Sequence, residues 1–203
     1  MGRISDARER LMKAVMELIW TDSYGATTID LICEKAGVKK GSFYYFFDSK
    51  ADLAQQALDV EWKLYRPQLD ALFSPTEPPL ERIRNQCEFN YKEQANLRKK
   101  HGYVLGCPLC TLGAEISTQE SGLRKLVQEI MEQSRKYIET AIRDAHAAGL
   151  VDAPNAAAKA RIVYAYSEGL LTQARIQNDL SILREMLAGI FEILGMKQAR
   201  AVA

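Results

Sequence analysis

The sequence predicts an all-α fold. Apolar residues recur at three- and four-residue steps along almost the whole chain, capping residues and glycine stops punctuate those steps, and no convincing strand pattern interrupts them. The first helical stripe is Ile4, Ala7, Leu11, Ala14, Val15, Leu18 and Ile19, and the polar stretch Thr21 to Gly25 ends it. Thr27 with Asp30 three residues on has the form of a capping box. It opens a short helix with Ile29, Ile32, Cys33 and Ala36 on one face, stopped by Gly37. A second short helix fits Lys40 to Phe47, with Phe43, Phe46 and Phe47 assigned to the core. Ser49 with Asp52 then starts a long helix carrying Leu53, Ala57, Val60 and Leu64 inward.

Pro67 is expected to kink or end that helix, because proline lacks the amide hydrogen and its ring clashes with the preceding turn. Ser74 to Pro79 holds three of the six prolines and reads as a loop. Helices follow over Leu80 to Lys100, Glu120 to Ala147, Asn155 to Gln177 and Ser181 to Leu194, with Gly102, Gly106, Pro108 and Gly113 breaking the segment between the first two. There is no internal repeat or low-complexity tract.

The 203 residues suffice for one or two domains, which usually run to about 100–200 residues each. A composition of 47% hydrophobic and 26% charged residues supports an ordinary core and surface. The net charge of +1 excludes nucleic-acid binding by bulk charge, so any such contact must come from a local patch. The opening residues lack the apolar core of a signal peptide, and no run is long enough to span a bilayer. The four cysteines form no disulfide framework, and the cytoplasm is the expected compartment.

Two short helices joined by Ala36-Gly37-Val38-Lys39 have the form of a helix-turn-helix. In that motif the first helix braces, and the second lies in the DNA major groove with its N-terminal residues at the base edges. Gly37, Lys39, Lys40, Gly41 and Ser42 supply the tight turn, the small leading residues and the cations. Tyr44 and Tyr45 add hydroxyls, and Lys50 stands where its charge and free backbone amides would attract phosphate. Taken singly, each feature also has a plainer reading: a helix stop, a solvated lysine pair, core aromatics.

The ordered stretch Thr27 to Lys50, with its paired threonines, Ala-Gly-Val turn, Gly-x-x-Tyr and Phe-x-x-Lys, resembles the DNA-binding module of the TetR family over roughly Arg8 to Leu58. The resemblance implies a DNA-binding domain over residues 1–48 and a helical ligand-sensing and dimerisation domain over 49–203. Thr28, Tyr44 and Lys50 would contact phosphates, and Lys40, Ser42 and Tyr45 would face bases or the adjacent backbone. Lys39, Tyr45 and Phe46 depart from the residues common at those positions, which bears on the operator sequence.

The resemblance further implies a homodimer built on the last two helices. Val163, Ser167, Leu170, Leu171 and Ala174, with Leu183, Met186, Leu187, Ile190, Phe191 and Leu194, are its candidate stripes, part of which must serve the internal core. A small-molecule effector would bind between the central helices, where Trp62, Phe89, Tyr103, Cys107, Tyr137, Tyr164 and Glu168 are candidate lining residues or simply core.

Gly106-Cys107-Pro108-Leu109-Cys110 followed by Ala114-Glu115 has three readings. It is a helix start with two buried thiols; or a sensor of oxidants or electrophiles at Cys107 and Cys110, as in a similar segment of some TetR-family regulators; or, with Cys87 and His101, a metal site, for which one Cys-x-x-Cys is weak. The expectation is no metal and no cofactor. An enzyme is not expected either: His101 and His146 lack a nucleophile elbow beside them, and a thiol-disulfide oxidoreductase would leave the helix-turn-helix unexplained.

Overall fold

The computed structural model describes residues 2–116, 118 and 120–196, and the side chains of residues 2–5, Ile4 of the first stripe among them, lie outside the described residues. Among the described residues the regular structure is entirely helical. In chain order it is α1 (Gly2–Thr21), α2 (Ile29–Ala36), α3 (Lys40–Phe46), α4 (Lys50–Leu72), α5 (Pro79–His101), α6 (Pro108–Ile116), α7 (Ser121–Ala147), α8 (Ala156–Gln177), a 3₁₀ stretch Leu180–Glu185 and α9 (Met186–Ile193). None of these helices is long and apolar enough to cross a membrane.

The chain divides into two compact units, Met1–Arg66 with Pro108–Met131, and Pro67–Cys107 with Glu132–Ala203. In this spatial grouping α4 contributes to both units, and α6 and the start of α7 go with the N-terminal helices; the DNA-binding and sensing domains expected over 1–48 and 49–203 are a functional division of the chain.

In the first unit, Leu11, Val15 and Ile19 of α1 are buried with Ile32, Phe43, Phe47 and Leu53. Each such side chain contributes roughly 1.5–3 kcal/mol of transfer free energy. The N-cap of α2 is Thr28, one residue later than the expected capping box: its side chain accepts from the Leu31 amide at 3.2 Å. Thr27 is buried instead and donates its hydroxyl to the Ser23 carbonyl at 2.6 Å. Gly37 ends α2 in the left-handed region at φ 61°, and Arg10 closes the same helix end by donating to Ala36 O at 2.7 Å.

The box at the start of α4 forms with a shift. Ser49 Oγ accepts from the Asp52 amide at 3.0 Å, and Asp52 Oδ2 accepts from the amide of Asp48 rather than Ser49, at 3.1 Å. Pro67 does not end α4, which continues to Leu72. Lys63, Leu64, Arg66, Pro67 and Gln68 are all exposed, so water can take up the carbonyl the proline leaves unpaired. Leu53 and Ala57 are buried as expected, but Val60 and Leu64 are exposed: the same face of α4 runs on beyond the packing of α1 to α3.

In the second unit, α5 and α8 pack with the 3₁₀ stretch and α9. Asn90 lies 3.7 Å from Met186 Sδ, the Arg84 guanidinium sits 5.9 Å from the Phe191 ring centroid, and Lys159 Nζ donates to Ile193 O at 2.8 Å. The last predicted helix begins as 3₁₀ because Asp179, its N-cap, accepts from Ser181 N at 2.9 Å and tightens the first turn. Arg82 is buried and paired with Asp144 of α7 at 2.6 Å, and it also donates to Glu77 O and Pro75 O, closing the proline-rich loop from inside.

Candidate nucleic-acid interface and sensor residues

The turn between α2 and α3 leaves one side of α3 in solvent. Phe43 is buried and anchors the helix, while Tyr44 and Tyr45, whose rings meet those of Phe43 and Phe46 edge-on, are still 55% and 73% exposed, a large aromatic surface left in solvent. Lys39 is the N-cap residue of α3 and its side chain makes no capping bond. Lys40 pairs across the turn with Asp30 at 2.7 Å, which ties α2 to α3 while leaving the ammonium exposed. Thr28 is exposed at the start of α2 and Ser42 is half-buried on α3. Apart from Lys50, the sequence-derived set therefore collects along the α2 start and the outer side of α3.

Lys50 is placed otherwise. Its Nζ donates to Tyr24 O at 2.7 Å and Thr27 O at 2.8 Å, and it stands 4.1 Å from the Tyr24 ring centroid. Burial lowers its pKa, and Glu120 and Glu115 work against that shift. Glu115 Oε2 accepts from Gly25 N at 2.9 Å, and Glu120 Oε1 accepts from the Tyr24 hydroxyl at 3.3 Å. Burial, then Glu120, push the Tyr24 phenol up to about 12. The ammonium is thus turned inward onto the segment that precedes α2. The sequence hinted at neither Glu115 nor Glu120, because the carbonyls and glutamates of this cluster come from distant stretches of chain.

The thiols differ in setting. Cys33 and Cys87 are buried, and burial raises both thiols, Cys87 to about 12, which disfavours the nucleophilic thiolate. Cys107 and Cys110 are in no disulfide and are partly exposed rather than fully buried, with Cys110 in the first turn of α6. In the second unit, Cys107 Sγ lies within 4.8 Å of a Glu168 carboxylate oxygen. The backbone before it is fastened to neighbouring helices: Gln94 accepts from Leu105 N and Gly106 N, Arg175 donates to Leu105 O at 2.7 Å, and Asn178 accepts from Val104 N. Gly106 has φ 65°, and a Cβ there would meet Leu171 O at 3.0 Å, so both its backbone angle and the close approach to α8 favour glycine.

The other candidate lining residues scatter. Tyr164 and Glu168 share a face of α8, one turn apart. Tyr137 donates to Asp70 and its ring lies 5.5 Å from that of Phe73. Phe89 is half-buried on α5. Tyr103 is 63% exposed, in the loop after α5, and does not line an interior space. Trp62 is buried but belongs to the first unit. Much of the candidate dimer stripe packs inside the chain, as part of it was expected to. Val163, Ser167, Leu170, Leu171, Ala174, Leu183, Met186, Ile190 and Leu194 are buried within the chain, while Leu187 and Phe191 are half-buried. They form the seam between α8 and α9. The apolar residues left outside on α8 are Ile162 at 52% and Ile176 at 77% exposure.

Residues 11–57 match the family described as bacterial regulatory proteins, tetR family, and residues 79–190 match the tetracyclin repressor-like C-terminal domain. An HTH-type transcriptional regulator from Lactococcus lactis subsp. lactis is 28% identical over 198 residues, covering 96% of this chain and 97% of that one. The HTH-type transcriptional repressor NemR of Escherichia coli strain K12 is 24% identical over 192 residues, covering 93% and 94% of the two chains. The crystal structure of E. coli NemR in its reduced form superposes with a TM-score of 0.79 at 23% identity, over 96% of this chain and 100% of that one.

Proposed function

Because this chain belongs to the TetR family of DNA-binding transcriptional regulators, we propose that it is a dimeric repressor that holds a near-palindromic operator and lets go when a small molecule acts on its second unit. The observation that carries the DNA reading is the exposed side of α3, where Tyr44 and Tyr45 stand in solvent behind Lys39 and Lys40. Thr28 and Tyr44 reach phosphates, and Lys39, Lys40, Ser42 and Tyr45 face the groove. Lys50 acts as a positioning residue, holding the turn before α2. Two copies meet through the face of α8 that carries Ile162, Ala165 and Ile176, the apolar side chains its own fold leaves uncovered.

Release has a candidate chemistry at Cys107. The Cys107 sulfur bonds to the electrophilic carbon of an activated alkene, the carbon–carbon π bond opens, and the thiol proton passes by way of the nearby Glu168 carboxylate to the adjacent carbon. NemR, a relative described as a repressor, has been solved in a reduced form, which makes its redox state a variable worth testing here. A reversibly bound ligand in the same unit is the second reading, supported by the half-buried Phe89, Tyr164 and Tyr137.

A gel shift of the intact protein on the duplex upstream of its own gene tests the DNA reading. A discrete complex that Tyr45→Ala weakens is expected, and no shift on any upstream fragment overturns it. Adding an electrophile such as N-ethylmaleimide to that complex tests release. The wild type should dissociate and the Cys107→Ser, Cys110→Ser variant should not; equal dissociation of both removes the thiol reading.

A further inference from the structure

On α5 a half-buried stripe beside the buried Ile83, Cys87 and Gln94 is polar. Gln86, Asn90 and Glu93 follow one another at helical steps, with Phe89 one turn before Glu93 and Leu97 one turn after. Two neighbouring contacts fix the direction of this stripe. Arg82, at nearly the same angle around the helix, reaches Asp144 of α7, and Asn90 reaches Met186 at the start of α9. The stripe therefore looks into the second unit between those two helices.

Its hydrogen bonding is incomplete. Gln86 Nε2 donates to Asn90 Oδ1 at 2.9 Å, but Gln86 Oε1 is buried without a partner. Among the described residues none gives the Glu93 carboxylate a hydrogen bond or an ion pair, and burial alone raises its pKa, with no cation nearby to oppose it. Glu93 is half-buried, and a carboxylate partly withdrawn from water without a counter-charge is costly, to which a buried unpaired amide oxygen adds. The one other buried side-chain atom without a partner among the described residues, Arg135 Nε, lies on α7 and is not paired with Glu93. Both orphans on α5 are acceptors, two turns apart and so about 10 Å along the axis.

We propose that this stripe recognises the effector, and that the effector is an organic cation with an apolar body: its ammonium pairs with Glu93, its further donor or polarised edge meets Gln86, and Phe89 and Leu97 hold its hydrocarbon. This inference rests on reading the second unit as the effector-binding half. The site is chemically distinct from Cys107, since it needs charge and shape and no covalent step.

The test is calorimetric titration of the full-length protein with a homologous series of phenylalkylamines, benzylamine to 4-phenylbutylamine, beside the equally long phenylalkanols. The amines should bind at least tenfold more tightly than the matching alcohols. Glu93→Gln should abolish that preference while leaving alcohol binding unchanged, and Gln86→Leu should weaken the longer amines most. The same variants are run in the operator gel shift. If wild-type protein binds operator but shows no preference for amines, or if Glu93→Gln binds amines as the wild type does, the cation proposal is overturned and the regulator reading stands. Loss of all operator binding by the wild type would instead count against that reading. The Glu93→Gln variant keeps the side-chain shape, so a folding failure is not expected, and its melting temperature provides the control.

Discussion

Replacing Lys50 by methionine keeps the hydrocarbon stem over Tyr24 and removes the ammonium. The variant loses two hydrogen bonds to carbonyls, at 2.7 Å and 2.8 Å, and the cation on the Tyr24 ring. Hydrogen bonds to charged groups contribute about 1.5–3 kcal/mol each, and a cation over a ring about 0.5–1 kcal/mol at a partly exposed site. Lys50 is only half-buried, so water replaces part of this, and a net loss of about 2 kcal/mol is a reasonable magnitude. At about 2–4 °C per kcal/mol for a chain of this size, the melting temperature of the first unit should fall by about 4–8 °C.

The second readout is the salt dependence of operator binding. A phosphate contact by Lys50 in both copies of a dimer would contribute about 1.8 to the slope of log K against log salt, at about 0.9 per phosphate. The inward placement predicts a lower melting temperature with an unchanged slope. An unchanged melting temperature with a slope reduced by about 1.8 would refute the reasoning and return Lys50 to the DNA backbone.

Gly189→Ala should destabilise the second unit by about 1–3 kcal/mol, as overpacking does, because its new methyl would fall on the Tyr166 hydroxyl and ring; Tyr166→Ala in the same chain should restore part of the loss in thermal melts. Glu93→Gln should be more stable than the wild type at neutral pH. Burial raises the folded-state pKa, so the wild type keeps full stability only below the ordinary glutamate value of about 4.3 and loses it as pH rises through the raised folded value. Urea melts at acidic and neutral pH should show the gain only at the higher pH, and an equal gain at both would point to packing instead. Tyr45→Ala should change which operator bases are tolerated, read by binding to single-base operator variants, whereas Tyr44→Phe, which removes a hydroxyl assigned to phosphate, should weaken all of them together.

The helices were legible because their signals are local. Caps at Thr28, Ser49 and Asn155 and the stop at Gly37 act within a turn, so sequence reading placed most boundaries within a residue or two. Periodicity also found the apolar stripes of α8 and α9 but not what they face, since a seam inside one chain and a seam between two chains have the same spacing. Burial of Val163, Ala174 and Ile190 within the chain settles which part is internal. Of the two outcomes expected at Pro67, a kink or an end, the end does not occur, because the cost of proline depends on solvent at the preceding carbonyl, which no sequence rule states.

Tyr44 and Tyr45 are exposed on α3, but the local sequence did not show which way Lys50 turns. Its partners are main-chain carbonyls more than twenty residues away, outside the reach of any local pattern. Glu93 was missed for a related reason. It stands in a helix crowded with Lys, Arg, Glu and Asn, where a glutamate reads as solvated surface until the fold shows which side is turned in.

The central claim is that two copies of α3 read one duplex. Hydroxyl-radical footprinting of the intact protein on the DNA upstream of its gene tests it most directly. Two protected patches on one face of the duplex, centred about 34–36 Å apart or a multiple of that, with protection lost in Tyr45→Ala, is the predicted result. A single protected patch, or protection spread evenly along any sequence, would contradict it.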